Sequence, residues 1–459
     1  MKRRQKEEEK KQKQQQEEEE GQKPQKESEW RRARGENETH NEAHATGQET
    51  SDKDGQIDQR DGKGGKGGME KYSPQELSLL RLLQSEKEYI QSLKENDGNV
   101  KSPAVPTKKQ DTSIDEADQF TPDNWIPRSA QLVRLTGKHP LNGEPELAAL
   151  WGGGLITPNR LHYVRNHGPV PHLLWETHKI DVENERLILS MDELENNFES
   201  INIAVALACD GNRRKELNMI RKSKGFNWGP GAVSCAFWKG PLLCDVLLAA
   251  GVQDCDPCHE STRRWVHFEG ADELSEGKYA TSIPLAYAMD PENDVILAYE
   301  MNNVRLPPDH GYPVRLVVPG YVGGRCVKWL QKIWVSENEN DSHYHIWDNR
   351  VLPSFILDMD SEFSHTMFHH PSTACNEQNL NSFIVKPEHG ETIRLSDVNK
   401  TRSYRIAGIA YDGGGHEVQR VEVSLDGGKS WLYCIRKVNT SLLFMLLLYN
   451  PINLSWPVP

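Results

Sequence analysis

Hydrophobic positions are rare in the first part of the chain and recur in short runs further along. Residues 1–68 are mainly Lys, Glu, Gln, Gly and Asn, so this segment cannot bury enough apolar surface to offset its ordering entropy. We expect a disordered, charged region over residues 1–120 with one helix near 73–94. That helix is predicted by leucines at helical spacing and by a capping box formed by Ser73 and Glu76.

The pattern changes near residue 121. From there to about 360, short β-type runs such as "INIAVALA" and "YPVRLVVPG" alternate with Gly- and Pro-containing turns, and helical stretches are few. This pattern predicts a mixed, largely antiparallel α+β domain. Residues 361–437 alternate apolar and polar positions around "DGGG" and "DGGK". That alternation is typical of a small β-sandwich with hairpins at both turns.

Charge and cysteine content narrow the function classes. The formal net charge of −13 argues against a general nucleic-acid binder, so an anionic substrate requires a local group of arginines. Eight scattered cysteines fit a reducing compartment better than a disulfide framework. The N-terminus has no apolar signal core, and the apolar run at 442–449 is too short to span a bilayer. We expect a cytoplasmic protein with neither nucleic acid nor membrane as a partner.

A lone cysteine ends the apolar run "VALAC". Arg213 and Arg214 follow Cys209 closely, and nearby positive charge favours the thiolate. A thiolate can attack, form a disulfide or bind a soft metal, and the competing interpretation is an ordinary buried free cysteine.

Two further cationic clusters favour a metal held with a large anionic cofactor. "HYVRNHGPVP" supplies Arg165 and His167, and "DHGYPVRLVVPGYVGGRCVKWL" supplies His310, Arg315, Arg325 and Lys328 among glycines. Phosphate suits the bidentate arginines and the compact charge of lysine.

Several longer stretches match sequence motifs of a known protein family, and they occur in the same order. "RLTGKHPLN", "HYVRNHGPVP", "CDGNRRKE", "SKGFNWG", "HFEGADEL" and "YHIWDNRVLPS" resemble the molybdenum domain of eukaryotic assimilatory nitrate reductase, in the sulfite oxidase superfamily. The resemblance runs from about Trp125 to Lys437. It implies a sulfite-oxidase-type molybdopterin domain over 121–360, followed by a partial immunoglobulin-like dimerisation domain over 361–437.

The resemblance also implies roles for individual residues. Cys209 corresponds to the protein ligand of molybdenum, with molybdopterin completing the sulfur ligation. The implied cofactor-binding residues are Arg165, Asn166, His167, Cys209, Asp272, His310, Arg315, Val327 and Lys328. The implied substrate-side, catalytic residues are Arg165, Arg214, Trp228 and Ser342.

The implied reaction is oxygen-atom transfer from nitrate, with nitrite as product. The family also implies a homodimer and an electron donor domain or protein; haem b and FAD are expected in full-length members, but motifs for their domains are not found in this chain. A sulfite oxidase-like enzyme and an inactive truncated product are the alternatives.

Three features depart from the family. Asp210 stands where alanine is usual and should oppose thiolate formation at Cys209. Ser342 stands where a substrate-side asparagine is usual. Residues 438–459, "VNTSLLFMLLLYNPINLSWPVP", do not resemble the family, and we expect an aberrant tail that begins at Val438, such as translated intron.

One metal-type motif stands apart from these clusters. Cys255, Cys258 and His259 in "CDPCH" have the spacing of a c-type haem attachment motif and of part of a zinc site. The segment lies in a polar connection, so an ordinary loop is the favoured interpretation, ahead of zinc and haem.

Overall fold

The computed structural model describes residues 113–183, 186–253, 263–394, 404–414, 416, 418–437 and 445–452, with single positions between 77 and 88. All of these belong to one compact unit, Glu70–Pro459. The single positions are helical and fall inside the helix predicted over 73–94. The motif with Cys255, Cys258 and His259 lies outside the described residues, as does most of the region predicted to be disordered.

The described structure begins with a short, anchored segment. Residues Glu116–Asp118 form a 3-10 helix, and Asp118 is fully buried against Arg128. The predicted disorder up to residue 120 therefore extends too far. A buried ion pair orders these residues, and the charged composition of the segment gave no sign of it.

The first domain contains three sheets and one strand pair. The first sheet is antiparallel and consists of β1 (Leu132–Arg134), β2 (Asn142–Pro145) and β3 (Val164–Arg165). The second has the strand order β5 (Leu187–Ser190), β4 (Lys179–Glu183), β14 (Leu330–Ser336), β8 (Trp265–Gly270) and β9 (Ala280–Pro284). Only β4 and β14 are parallel within it.

The third sheet lies behind the predicted cysteine turn. Its order is β12 (Val304–Arg305), β11 (Glu300–Met301), β7 (Val233–Pro241) and β6 (Ser200–Ala208), and a separate pair joins β10 (Ile296–Ala298) to β13 (Arg315–Val317). β6 and β7 pair along nine residues, and most of their side chains are buried. This rigid hairpin ends immediately before Cys209.

The helices are short. They are α1 (Leu147–Gly152), α2 (Met191–Asn196), α3 (Arg214–Leu217), α4 (Leu243–Ala249), α5 (Leu285–Met289) and α6 (Glu362–Phe368). Residues Tyr344–Asp348 form a π-helix, and the further 3-10 helices are Asn159–Leu161, Pro291–Asn293, Pro308–His310, Gly323–Arg325 and Pro371–Thr373. No helix in the described part of the chain is long and apolar enough to cross a membrane.

In the described part of the second domain, β-strands follow α6 and the 3-10 helix Pro371–Thr373. One sheet has the order β15 (Asn381–Lys386), β16 (Tyr404–Tyr411), β20 (Met445–Ile452) and β19 (Ile435–Lys437), and a pair joins β17 (Glu422–Val423) to β18 (Leu432–Tyr433). The hairpin predicted at "DGGK" joins β17 to β18. The hairpin predicted at "DGGG" is not found among the described residues, because β16 pairs with β15 and β20 instead.

The tail predicted to be aberrant supplies a strand of this sheet. β20 lies between β16 and β19 and pairs with β16 along all eight of its residues. A run such as "MLLLY" has the composition of a buried strand, so its place between two neighbours follows from its apolar residues. Whether the segment is translated intron stays a prediction.

The two domains share a hydrophobic core. Leu150, Ala206 and Val233 of the first domain belong to one buried cluster with Phe383 and Ile409 of the second. A polar contact lies beside it, since the Asn212 amide donates a hydrogen bond of 2.6 Å to the Tyr411 hydroxyl. The second domain therefore contacts the turn that follows Cys209.

Candidate active site

A cavity of about 860 Å3 opens where the ends of several elements of the first domain meet. Its lining carries eight basic side chains and four carboxylates. The basic residues are Arg165, Arg214, Arg221, Lys222, Lys224, Arg315, Lys328 and Arg350, and the carboxylates belong to Asp210, Asp272, Asp309 and Asp348. The protein is acidic as a whole, so this cavity is a local region of positive charge suited to an anion.

Cys209 lies on the wall of this cavity at the end of β6. Its backbone N–H donates to the carbonyl of Ala232 at 2.9 Å, and its carbonyl accepts from Asn212 N–H at 3.0 Å. Burial, and then the charge of Asp210, raise the pKa of the thiol to about 12. The prediction of an easily ionised thiol is therefore wrong for the protein alone, because desolvation outweighs Arg165 and Arg214. The predicted opposition by Asp210 is confirmed.

The two arginines after Cys209 point in different directions. Arg213 has φ of 64°, and its guanidinium bonds to Glu216 and Asn381, outside the cavity lining. Arg214 lines the cavity and donates to the Phe226 carbonyl at 3.2 Å.

Two glycines give Arg214 its place. A Cβ on Gly211 would lie 2.6 Å from Nη1 of Arg214, and a Cβ on Gly225 would lie 2.5 Å from the same atom. Real Cβ atoms do not approach so closely, so the guanidinium occupies space that only glycine leaves open.

Trp228 is almost completely buried and forms part of the inner wall. Its ring meets that of Tyr163 edge to face, with the ring centroids 6.1 Å apart. Both side chains line the cavity. The packing role and the cavity role that the sequence offered for Trp228 are therefore found together.

Arg165, Asn166 and His167 follow one another along a second wall. Arg165 donates to the Asn142 side chain at 3.2 Å, and its guanidinium carbon lies 5.0 Å from the centroid of the Phe226 ring. His167 Nε2 lies 3.1 Å from the carboxylate of Asp348. Burial, followed by Arg165, lowers the pKa of His167 to about 4, so its imidazole is neutral at pH 7.

Asn166 is fully buried behind this wall. Its amide donates to Asp309 at 2.8 Å, and its oxygen accepts from the ammonium group of Lys328. It is not part of the cavity lining, so it positions its neighbours instead of facing the cavity.

The Arg315–Lys328 cluster comprises Arg315, Lys328 and His310. Arg315 donates to the carbonyls of His310 and Cys326, and it forms no ion pair with any carboxylate in the described ranges. Lys328 donates to the carbonyls of Arg165 and Asp309. Burial lowers the pKa of Lys328 to about 7 and that of His310 to about 3. Burying such a group is costly unless negative charge compensates it, so the cluster is suited to contact with an anion.

Asp272 brings a carboxylate to the same cavity just after β8. Burial raises its pKa to about 6, and its Oδ1 has no hydrogen-bond partner within the described structure. The Nε2 atom of His162 and the Oδ1 atom of Asn212 are buried without partners in the same lining.

These atoms and charges test whether the residues fit molybdopterin. The unpartnered atoms offer acceptors for ring N–H groups, the Arg315–Lys328 cluster offers cations for a phosphate, and Cys209 offers one sulfur for the metal. No group of three His, Cys, Asp or Glu side chains able to hold a metal ion occurs among the described residues. The unpartnered acceptors, the buried cations and the single thiol of the lining fit molybdopterin.

Besides Asn166 and Arg213, three further residues singled out from the sequence do not line the cavity. Ser342 donates to the Ala280 carbonyl at 2.8 Å, and Val327 is buried in the main core. Arg325 is fully buried and donates to Thr281 and to the Cys375 carbonyl. None of these three lines the cavity.

The segment "WDNR", beyond Ser342, contributes residues that sequence reasoning missed. Trp347, Asp348, Asn349 and Arg350 all line the cavity at the end of the π-helix. Asn349 donates to the Tyr279 hydroxyl at 3.2 Å and to the Tyr344 carbonyl at 2.9 Å. Three consecutive polar residues after an aromatic run were the available signal.

Comparison with known families agrees with this geometry. The protein family described as "Oxidoreductase molybdopterin binding domain" matches residues 167–344. The family described as "Mo-co oxidoreductase dimerisation domain" matches residues 372–441. The fold is similar to that of sulfane dehydrogenase SoxCD from Paracoccus pantotrophus, with a TM-score of 0.53 and 23% identity over 72% of this chain and 75% of that one.

Proteins of similar sequence define the family more narrowly than the fold does. A nitrate reductase [NAD(P)H] of Hordeum vulgare is 47% identical over 326 residues, and a nitrate reductase [NADH] of Spinacia oleracea is 46% identical over 329. Each alignment covers 70% of this chain but 36% and 35% of the relative. The chain thus spans about a third of the length of the curated relatives it matches.

Fold and cavity together fit a molybdopterin-binding oxidoreductase domain followed by a Mo-co oxidoreductase dimerisation domain. The sequence relatives narrow this class. The matched 70% of the chain belongs to the eukaryotic nitrate reductase family and contains its molybdopterin-binding and Mo-co dimerisation regions. The predicted family and fold class are confirmed.

Proposed function

We propose that this chain reduces nitrate to nitrite by oxygen-atom transfer at a molybdopterin centre ligated by the thiolate of Cys209. The observation that carries the proposal is a cysteine on the wall of a cavity whose lining has twice as many basic side chains as carboxylates. In the net reaction nitrate loses one oxygen, and two electrons and two protons convert that oxygen to water. Bound molybdenum supplies the two-electron redox change that this reaction needs.

The side chains of the cavity divide into two groups under this proposal. Arg315, Lys328 and His310 hold the phosphate end of the cofactor, and Asp272 accepts hydrogen bonds from its ring. Burial of these groups strengthens their charged contacts, because the interior has a lower effective dielectric constant than water.

Arg165 and Arg214 act on the substrate side. Their guanidinium groups neutralise nitrate and keep it oriented while negative charge moves during the transfer. Trp228 forms the wall that limits where the anion can lie. Ser342 has no place in this proposal, since its hydroxyl is bonded to Ala280 away from the cavity.

The proposed assembly follows the dimerisation domain that residues 372–441 match. We propose a homodimer in which an electron donor domain or protein returns the two electrons. A cytoplasmic location is part of the same proposal and is supported by the cysteine usage of the chain.

The full chain, expressed in a host that makes molybdopterin, tests the proposal. We expect about one molybdenum per chain, nitrate reduction with reduced viologen, and no sulfite oxidation with ferricyanide. Cys209→Ser should lose activity by about 10³-fold or more. Cys244→Ser is the matched control, because Cys244 is also buried beside an aspartate, Asp245, and should keep full activity.

Each contrary result has a distinct meaning. Sulfite oxidation without nitrate reduction would assign the chain to the related oxidase reaction. A folded wild-type chain without molybdenum would support the inactive product, and nitrate reduction that survives Cys209→Ser would remove the proposed metal ligand.

A further inference from the structure

A carboxylate outside the cavity supports the inner wall from behind. Glu144 lies on β2, and its Oε1 accepts a hydrogen bond of 2.7 Å from the backbone N–H of Gly229. The N–H groups of Gly231 and Ala232 also act on this carboxylate, and burial raises its pKa. Glu144 does not line the cavity, and nothing in the proposed chemistry uses it.

The segment that Glu144 holds also holds the cysteine turn. The Cys209 N–H donates to Ala232 O at 2.9 Å, the Arg213 N–H to Gly229 O at 3.0 Å, and the Lys215 N–H to Trp228 O at 3.0 Å. Three backbone hydrogen bonds therefore fix the turn of the metal ligand to residues 228–232. Movement of that segment would shift Cys209 and the start of α3 with it.

The segment of residues 228–232 packs tightly against β2. A Cβ on Gly229 would lie 2.7 Å from Glu144 Oε1, and a Cβ on Gly231 would lie 2.7 Å from the carbonyl of Pro145. The two glycines let the loop "NWGPG" wrap around the carboxylate. Gly229 is buried, so removal of the carboxylate would leave its N–H donor unsatisfied. The second oxygen of the carboxylate, Oε2, has no hydrogen-bond partner in the described structure.

The same strand holds the opposite, cationic wall. Asn142 lies two residues before Glu144 on β2, so the two side chains share one face of the strand. The Asn142 side chain accepts from Arg165 at 3.2 Å, and its backbone pairs with Arg165 on β3. One short strand thus connects Arg165 with the segment that carries Trp228.

We infer that Glu144 is a positioning residue that sets the distance between the Trp228–Ala232 segment, with its attached cysteine turn, and the Arg165 wall. The inference rests on the proposed function only for its effect on nitrate turnover. Its structural content concerns backbone hydrogen bonds and is tested independently.

Hydrogen exchange measured by mass spectrometry tests the structural content. Glu144→Ala and Glu144→Gln should speed exchange in peptides covering 209–215 and 228–232 by about tenfold, while the β4–β14 sheet stays unchanged. Glu146→Gln is the matched control, because Glu146 follows on the same stretch of chain and is exposed. Unchanged exchange in both peptides of folded Glu144→Gln would overturn the inference.

Kinetics measured per bound molybdenum test the functional consequence. A misplaced wall should lower kcat for nitrate by about tenfold in Glu144→Gln with little change in KM, because alignment suffers more than binding. Glu144→Asp keeps the charge and should recover part of the loss. A variant that only unfolds would lose metal and activity together, leaving kcat per molybdenum at the wild-type value, and that result would also count against the inference.

If Glu144→Ala does not fold, Glu144→Gln and Glu144→Asp carry both measurements. A chain without nitrate reductase activity would end the kinetic comparison and refute the proposed function. The exchange comparison would still decide the positioning role.

Discussion

Two buried groups of positive charge meet at Asp309 and differ in how they are neutralised. Arg128 contacts Asp118, Asp123 and Asp309 at 3.0, 2.8 and 2.8 Å. Burial alone would lower the pKa of Arg128, but these carboxylates raise it above its ordinary value. Arg315 has no carboxylate partner in the described structure, and the charges of Asp309 and Asp272 compensate Lys328 only in part, so burial lowers the pKa of both.

The difference separates a structural cluster from a binding one. Asp309 accepts from Arg128 and Asn166 through its carboxylate, whereas Lys328 reaches only its backbone carbonyl. Arg128 therefore contacts directly the carboxylate whose charge acts on Lys328 only from further away. A closed ion cluster on one side of Asp309 keeps positive charge available for an anion on the other side.

Removal of the closed cluster should have the largest effect. Arg128→Leu takes away the cation shared by three buried carboxylates and should lower the free energy of unfolding by about 3–5 kcal/mol. Urea unfolding followed by circular dichroism measures this. Arg305→Leu is the control, because its pair with Glu195 is partly exposed and should cost about 1 kcal/mol or less. Equal effects of the two changes would contradict the comparison.

Removal of the open cluster should act on the cofactor instead. Arg315→Met should reduce molybdenum retained per chain by about tenfold, equivalent to about 1.4 kcal/mol of binding free energy. The cofactor-free variant should be as stable as wild type or more so, because an unpaired buried charge is gone. Metal analysis and unfolding of the same preparations check both statements, and a strongly destabilised variant would show that Arg315 is structural.

Lys328 should give the open cluster a pH signature. Its pKa is about 7 in the folded protein, below the ordinary value of a lysine in the unfolded chain. Between these two pKa values the unfolded chain binds the extra proton, so stability of the cofactor-free protein should rise with pH by up to about 1 kcal/mol per pH unit. Lys328→Met should flatten this rise. An identical slope of stability against pH in wild type and variant would show that the pKa of Lys328 is not lowered in the folded protein.

The smallest effect concerns the cysteine itself. Asp210 is the second cause of the raised pKa of Cys209, after burial. Asp210→Ala should therefore speed alkylation of Cys209 at pH 9 about threefold in cofactor-free protein. Asp245→Ala removes the carboxylate beside Cys244 and should leave the Cys209 rate unchanged. A rate unaffected by Asp210→Ala would mean that burial alone sets the pKa.

Much of the candidate site could be predicted from local sequence. The turn after β6, the basic wall around Arg165 and the Arg315–Lys328 cluster were predicted from lone cysteine, charge and glycine spacing, and all meet in one cavity. The raised pKa of Cys209 was not predictable in this way. The thiol is buried by β7 and the Trp228 segment, which lie further along the chain and contact it only after folding.

The wrongly predicted positions also have physical causes. Val327 lies between Cys326 and Lys328, which both line the cavity, but its own side chain is buried in the main core. Ser342 precedes a π-helix, whose wider turn brings Asp348 and Asn349 to the cavity instead. The partner of a strand also depends on long-range packing, which is why "DGGG" gave no hairpin.

Tyr411 links β20 to the turn that follows Cys209. Its hydroxyl accepts from Asn212, three residues after Cys209, while its backbone pairs with Met445 of β20. A substitution that displaced β20 would therefore act, through one tyrosine, on the turn that follows Cys209. A strand more than 230 residues further along the chain thus bears on the position of the thiol that we propose as metal ligand.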